Sequence, residues 1–206
     1  MRSPWLSRIT RYFLAVAALS AGALSAVQLP GCSDGAGACA PDCPTCVGEQ
    51  CSEVCVDGDC NLGCEQGADC DLECDGGGCD LECEGQSTCD VDCSASNDCD
   101  LDCAGGSDCN VECLTGCGGG CTGNSNCAMT CDTGCDIGCT GNGTCSLTCT
   151  SDCFVCCKGS GTCELDCSDA DVVECEGDGG NETIKACGAC PPAGSCQYGA
   201  EDEEPQ

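Results

Sequence analysis

Histidine is absent from the 206 residues. Without an imidazole there is no Ser-His-Asp or Cys-His nucleophile, and no side chain whose ordinary pKa lies near neutrality. Aromatic residues are almost as scarce. There are one Trp, two Phe and two Tyr, and Trp5, Tyr12 and Phe13 lie within the first thirteen positions. Positive charge is equally scarce, with five Lys and Arg in all and none between residues 33 and 157. So little large apolar surface cannot offset the entropy of ordering a chain. It also leaves no apolar pocket to raise a carboxylate pKa for acid–base work. The chain therefore reads as non-enzymatic, and as unable to fold around an ordinary hydrophobic core.

Cysteine supplies what is missing. There are 35, about one residue in six, well above the roughly 8–10% that marks a disulfide scaffold. Cross-links restrict the unfolded chain instead of building a core. They persist in oxidising compartments, and the N-terminus points to one. Arg2, Arg8 and Arg11 form a positive segment, and an uncharged apolar stretch follows from Phe13 to Val27. It is a signal-peptide pattern, too short for a stable transmembrane span.

Leu29-Pro30-Gly31-Cys32 resembles the lipobox of bacterial lipoproteins. The resemblance covers the first 32 residues and implies that Cys32 becomes the acylated mature N-terminus, with Ser33 at the position that would direct sorting to the outer membrane. The competing reading is ordinary cleavage after Ala26. Parity separates the two: lipidation of Cys32 leaves 34 of the 35 cysteines, an even number. No acid precedes Cys32 and only Lys158 and Lys185 follow it. The mature chain then carries 36 acids against 2 lysines, a net charge of 2 − 36 = −34. Such a field repels nucleic acid and attracts cations or basic partners. The expected partners are thus a membrane, through the lipid, and a protein or other surface of positive charge. The expected location is the bacterial cell envelope, at the outer membrane or cell surface.

Internal repetition is the strongest signal in the chain. Cys-Asp-Leu-Glu-Cys occupies 70–74 and again 79–83, followed by Cys-Asp-Val-Asp-Cys at 89–93, Cys-Asp-Leu-Asp-Cys at 99–103 and Cys-Asn-Val-Glu-Cys at 109–113. The spacers are rich in Gly, Ser, Asp and Asn. After Cys109 the spacing becomes Cys-x3-Cys-x3-Cys-x3-Cys-x5, a period of eighteen, through Cys113, Cys127, Cys131, Cys145, Cys149, Cys163 and Cys167. No characterised family is identified for these repeats. Alternation of Cys, acid, Leu or Val, acid, Cys places the apolar side chains on one strand face and the acids on the other. One helical turn between glycine-rich spacers would not hold. The expected fold is all-β: a narrow, disulfide-rich β-solenoid of short stacked strands. It would have a coil of either ten or 18–20 residues, lined by Leu72, Leu81, Val91, Leu101, Val111, Met129, Ile137, Leu147 and Leu165. The ten-residue unit is similar in architecture to the cysteine-threaded coils of insect antifreeze solenoids. Within this scheme residues 1–31 are a signal peptide and 32–50 the anchor and N-terminal cap. Residues 51–175 form the solenoid, and 176–206 an irregular C-terminal cap with an acidic tail.

Geometry limits the pairing of Cys70, Cys74, Cys79, Cys83, Cys89, Cys93, Cys99, Cys103 and Cys109. Residues i and i+4 of a strand lie about 13 Å apart, and a disulfide requires Cα atoms within about 7 Å. Bonds across a spacer, such as Cys83–Cys89, or across the core both satisfy this. Cys187-Gly-Ala-Cys190 lacks the βαβ setting of a thioredoxin-type site and is read as structural. Thiolate metal binding would need reduced cysteines, against the oxidising context. Ca²⁺ is the one candidate cofactor. With a ten-residue coil, Asp71, Asp80, Asp90 and Asp100 would form one column, and Glu73, Glu82, Asp92, Asp102 and Glu112 a second. Carboxylates on strands about 4.8 Å apart repel by about 1 kcal/mol in water and 3–4 kcal/mol at an effective dielectric near 20. A hard cation could relieve that. The competing reading is a solvated acidic face that keeps a β-stack from aggregating.

Overall fold

The computed structural model describes residues 37–39, 45–177, 181–196 and 198. The signal segment, the lipobox with Cys32, and the acidic tail lie outside the described residues.

The chain winds into a β-solenoid of two facing parallel sheets. Sheet A contains β1 (Gly37–Cys39), β3 (Gln50–Cys55), β5 (Asp69–Cys74), β7 (Thr88–Asn97), β9 (Asp108–Thr115), β11 (Asn126–Thr133), β13 (Thr144–Ser151) and β15 (Thr162–Cys167). Sheet B contains β2 (Cys46–Val47), β4 (Asn61–Glu65), β6 (Asp80–Cys83), β8 (Asp100–Cys103), β10 (Gly118–Cys121), β12 (Asp136–Gly141) and β14 (Phe154–Gly159). Cys70, Cys89, Cys109, Cys127, Cys145 and Cys163 stack in register, so successive coils take 19, 20, 18, 18 and 18 residues. The ten-residue unit is thus half a coil. An irregularity between Cys93 and Asn97 absorbs the two extra residues of the longest turn.

The alternation seen in sequence becomes the core. β5, Asp-Cys-Asp-Leu-Glu-Cys, alternates exposed and buried along its whole length. Leu72, Val91, Val111, Met129 and Leu147 line sheet A and Leu81, Leu101 and Ile137 line sheet B, all buried. Leu165, in the last strand of sheet A, is only partly buried against them. Each apolar residue sits between cysteines, and the two sheets are joined at both corners of every coil. Leaving sheet A, the bonds are Cys55–Cys60, Cys74–Cys79, Cys93–Cys99, Cys113–Cys117, Cys131–Cys135 and Cys149–Cys153. Returning from sheet B they are Cys46–Cys51, Cys64–Cys70, Cys83–Cys89, Cys103–Cys109, Cys121–Cys127, Cys139–Cys145 and Cys157–Cys163. Of the two arrangements open in sequence, the bonds across spacers are the ones made. The change of period after Cys109 is a change at the first corner alone, whose bonds shorten from a separation of 5 or 6 to 4.

The C-terminal cap, expected to be irregular, contains regular structure. β17 (Glu182–Cys187) pairs antiparallel with β14, and β16 (Val172–Glu176) pairs antiparallel with β17. Cys167–Cys187 and Cys156–Cys196 tie this cap to the last coil, and Cys175–Cys190 closes the cap on itself. Sequence patterning gave no sign of it, because these strands lack the Cys-x-Leu-x-Cys unit. Cys187 and Cys190 bond to different partners, which fits the structural reading of that pair.

Candidate interaction faces and corners

The 18–20-residue coil redistributes the acids. Alternate units fall on opposite sheets, so the single-face columns expected for a ten-residue coil do not form. On sheet A the register aligns Asp71, Asp90 and Asn110, and beside them Glu73, Asp92 and Glu112. On sheet B it aligns Asp80 with Asp100 and Glu82 with Asp102. Each column is therefore half as long as expected and backed by the other sheet.

On sheet A three acids, Asp69, Asp90 and Asp108, each meet an amide donor on a neighbouring rung, while Glu73, Asp92 and Glu112 remain adjacent. Asn110 Nδ2 donates to Asp90 Oδ1 at 3.3 Å. One step along the strand, Gln50 Nε2 donates to Asp69 Oδ2 at 3.0 Å and Asn126 Nδ2 to Asp108 Oδ1 at 2.7 Å. Asp92 accepts from the Ser94 side chain and from its N–H (2.8 Å), which lowers its pKa.

Sheet B does the opposite. Burial raises the pKa of Asp100, with the charges of Asp80 and Asp102 adding to it. Glu82 is raised by burial and by Asp80, Glu84, Asp102 and Glu65. Asp136 is pushed up to about 6, first by burial and then by Asp100. The cause lies in β10, where Gly118, Gly119 and Gly120 replace the usual acid-Leu-acid triplet. Gly118 presents no side chain between Asp100 and Asp136, and a Cβ there would lie 3.4 Å from Asp136 Oδ1. Asp136 therefore leans over bare backbone. Low apolar content predicts no setting that could raise a carboxylate pKa; a missing side chain in an acidic column provides one.

Two further features carried no recognised sequence signal. Ser87, Ser107 and Ser125 are buried at the second corner. Ser87 Oγ donates to Glu84 O and Ser107 Oγ to Ala104 O. Ser87 N donates to Ser107 Oγ at 3.2 Å, and Gly106 N and Ser107 N donate to Ser125 Oγ. These hydroxyls satisfy turn backbone that the sheet ladder does not reach. Their spacing of 20 and 18 residues is the signal that could have found them. Glu53 is the second: it occupies the inward position aligned with Leu72 and is buried, 7% exposed, at the N-terminal end of the core.

Sulfur atoms form two axial columns. Cys74, Cys93 and Cys99 bring theirs within 4.8 Å of one another, as do Cys83, Cys103 and Cys109. All six are engaged in disulfides, so in this oxidised state the columns are covalent staples and offer no thiolates. The two lysines that follow Cys32 both lie where the last coil meets the C-terminal cap, Lys158 on β14 and Lys185 on β17. Lys185 Nζ donates to Cys163 O at 2.8 Å, on the last strand of sheet A. Lys158 Nζ lies 5.2 Å from the centre of the Tyr198 ring, whose hydroxyl donates to Glu182.

Comparison with protein-family models, with curated proteins and with solved structures returns no match for this chain. The fold and its surfaces define the class: a disulfide-stapled, rigid, repetitive β-solenoid module.

Proposed function

We propose that the chain is an exported lipoprotein, anchored through Cys32, that holds a rigid acidic rod at the cell envelope as an interaction module for cationic partners. The observation carrying this reading is the treatment of positive charge. From residue 33 to 157 there is none, and both later lysines are engaged where the last coil meets the cap, one on a carbonyl and one over a ring. Solubility alone would tolerate a mixture of Lys and Asp, which also lowers repulsion. Outward rungs instead carry acids, amides and hydroxyls, a surface that accepts from cationic donors.

Two measurements test it. Cys32→Ala should move the protein from the membrane fraction to the soluble fraction; a wild-type protein that is soluble with Val27 at its N-terminus refutes the anchor. The oxidised protein should bind acetyl-hexalysine-amide at 50 mM salt and weaken steeply as salt rises. Absence of binding at low salt refutes the interaction module.

A second reading is weak multi-site binding of Ca²⁺. It rests on Glu73, Asp92 and Glu112, three carboxylates on consecutive rungs of sheet A. It requires millimolar Ca²⁺ to raise the melting temperature more than NaCl of equal ionic strength, and Glu73→Gln with Glu112→Gln to remove the difference.

A further inference from the structure

We propose that the outer face of sheet A contains a defined seat for a lysine side chain of a partner polypeptide; this rests on the interaction-module reading and gives its contact a place. The seat is a trough of about 330 Å³ running along the rod axis across β7, β9, β11 and β13. One wall continues from Asp108 to Asn126 and the other from Asp90 through Asn110 to Ala128 and Ser146. The trough exists because Ala128 and Ser146 replace the acids that fill the same outward position on β5 and β7.

Its polarity selects the ligand. Asn126 spends an N–H on Asp108 and Asn110 spends one on Asp90. Each amide keeps its carbonyl oxygen and one N–H, and each carboxylate keeps its second oxygen. The acidic end therefore offers acceptors to a donor-rich cation. The opposite end, at Ala128, Thr144 and Ser146, is lined by uncharged groups and floored by a methyl group, with Glu164 following one rung beyond Ser146. One charged end and one aliphatic end fit a single ammonium on a methylene stem, as lysine has. Arginine's planar fork is better matched to a lone bidentate carboxylate than to acceptors spread over two walls.

The experiment is calorimetric titration of acetyl-hexalysine-amide into the full oxidised protein at 50 mM salt, with variants chosen to separate shape from charge. Ala128→Leu fills the trough without altering the charge, and Ser146→Leu fills it from the other end should the first variant misfold. Either should weaken binding at least fivefold. Asp90→Asn should weaken it by a similar factor. Asp92→Asn, the same charge loss on the neighbouring column outside the trough, should change it less than twofold. If the filled variants bind like wild type, or if Asp92→Asn costs as much as Asp90→Asn, the attraction is the diffuse field of the rod and the seat is refuted while the module reading stands. If the wild type binds no peptide, both fail. If 1,5-diaminopentane displaces the peptide at equal concentration of ligand, the trough is a small-amine site and the polypeptide assignment is overturned.

Discussion

Asp136 is the residue where this protein departs furthest from its own composition. Its pKa of about 6 in the fold stands above an ordinary carboxylate value near 3.9. The folded state therefore takes up a proton at higher pH than the unfolded chain. The destabilisation is fully present above pH 6 and disappears as pH falls from 6 towards 4. A two-unit difference corresponds to about 2–3 kcal/mol. Asp136→Asn should raise the denaturation midpoint of the oxidised protein at pH 8 by that order and flatten the rise between pH 8 and pH 5, as read by denaturant titration. An unchanged pH profile in the variant would show that the charge on Asp136 is not the source. Position 118 acts on the same column: Gly118→Asp would place a third carboxylate between Asp100 and Asp136 and should steepen the dependence.

At the scale of the element, each corner is a staple over a very short loop. The Cys103–Cys109 bond spans 6 residues, whereas Cys156–Cys196 spans 40. Loop-closure entropy gives about 2 kcal/mol for the first and about 4 kcal/mol for the second. Paired Cys→Ala replacement of Cys156 and Cys196 should therefore cost more stability than replacement of Cys103 and Cys109, even though the second pair is the more deeply buried. The order of the two denaturation midpoints decides it; the reverse order would mean that packing of sulfur inside the coil outweighs chain entropy. The corners also explain why the turns differ in composition. The residue before the second cysteine of the first corner is left-handed on rung after rung, with φ of 54° at Asp59, 67° at Gly78, 62° at Asp98 and 71° at Gly116. Asp can tolerate this conformation and Gly adopts it freely. At Gly78 and Gly116 a Cβ would meet the carboxylate of Asp59 or Asp98 at 2.8 or 2.7 Å, so glycine on one rung leaves room for the aspartate of the rung before it.

Across the whole molecule, the architecture was legible because its period is written in cysteine. Leu72, Val91 and Val111 announce an inward face by alternation with acids, and the strand assignment follows. The coil length was not legible, since a ten-residue unit repeats identically whether it returns to the same sheet or crosses to the other. That ambiguity is what placed Asp71 and Asp80 in one column when they lie on opposite faces. The cap was hidden for a different reason: β16 and β17 take their order from antiparallel pairing and long-range disulfides, which leave no local period. The lysine seat was invisible because it is opened by small side chains at Ala128 and Ser146, and a run such as Ala128-Met129-Thr130 reads only as a weakened repeat.

Among the described residues the thirteen corner disulfides all close within a coil, and none of them joins one coil to the next. Neighbouring coils hold each other without covalent links, through the backbone ladder, the packed interior and side-chain hydrogen bonds such as Asn110–Asp90 and Ser87–Ser107. Under tension the rod should accordingly behave as a ratchet of equal teeth. Each coil would peel away separately and pay out only the length its staples allow. For an 18-residue coil with both corners bridged, that is about 35 Å, against about 55–60 Å once the bridges are cut, at 3.3–3.6 Å per extended residue. Single-molecule stretching with and without a thiol reductant would read the two step sizes directly. A single large release in the oxidised protein would mean that the coils yield together. A module built this way can extend under load at a surface without exposing a free thiol or breaking a covalent bond.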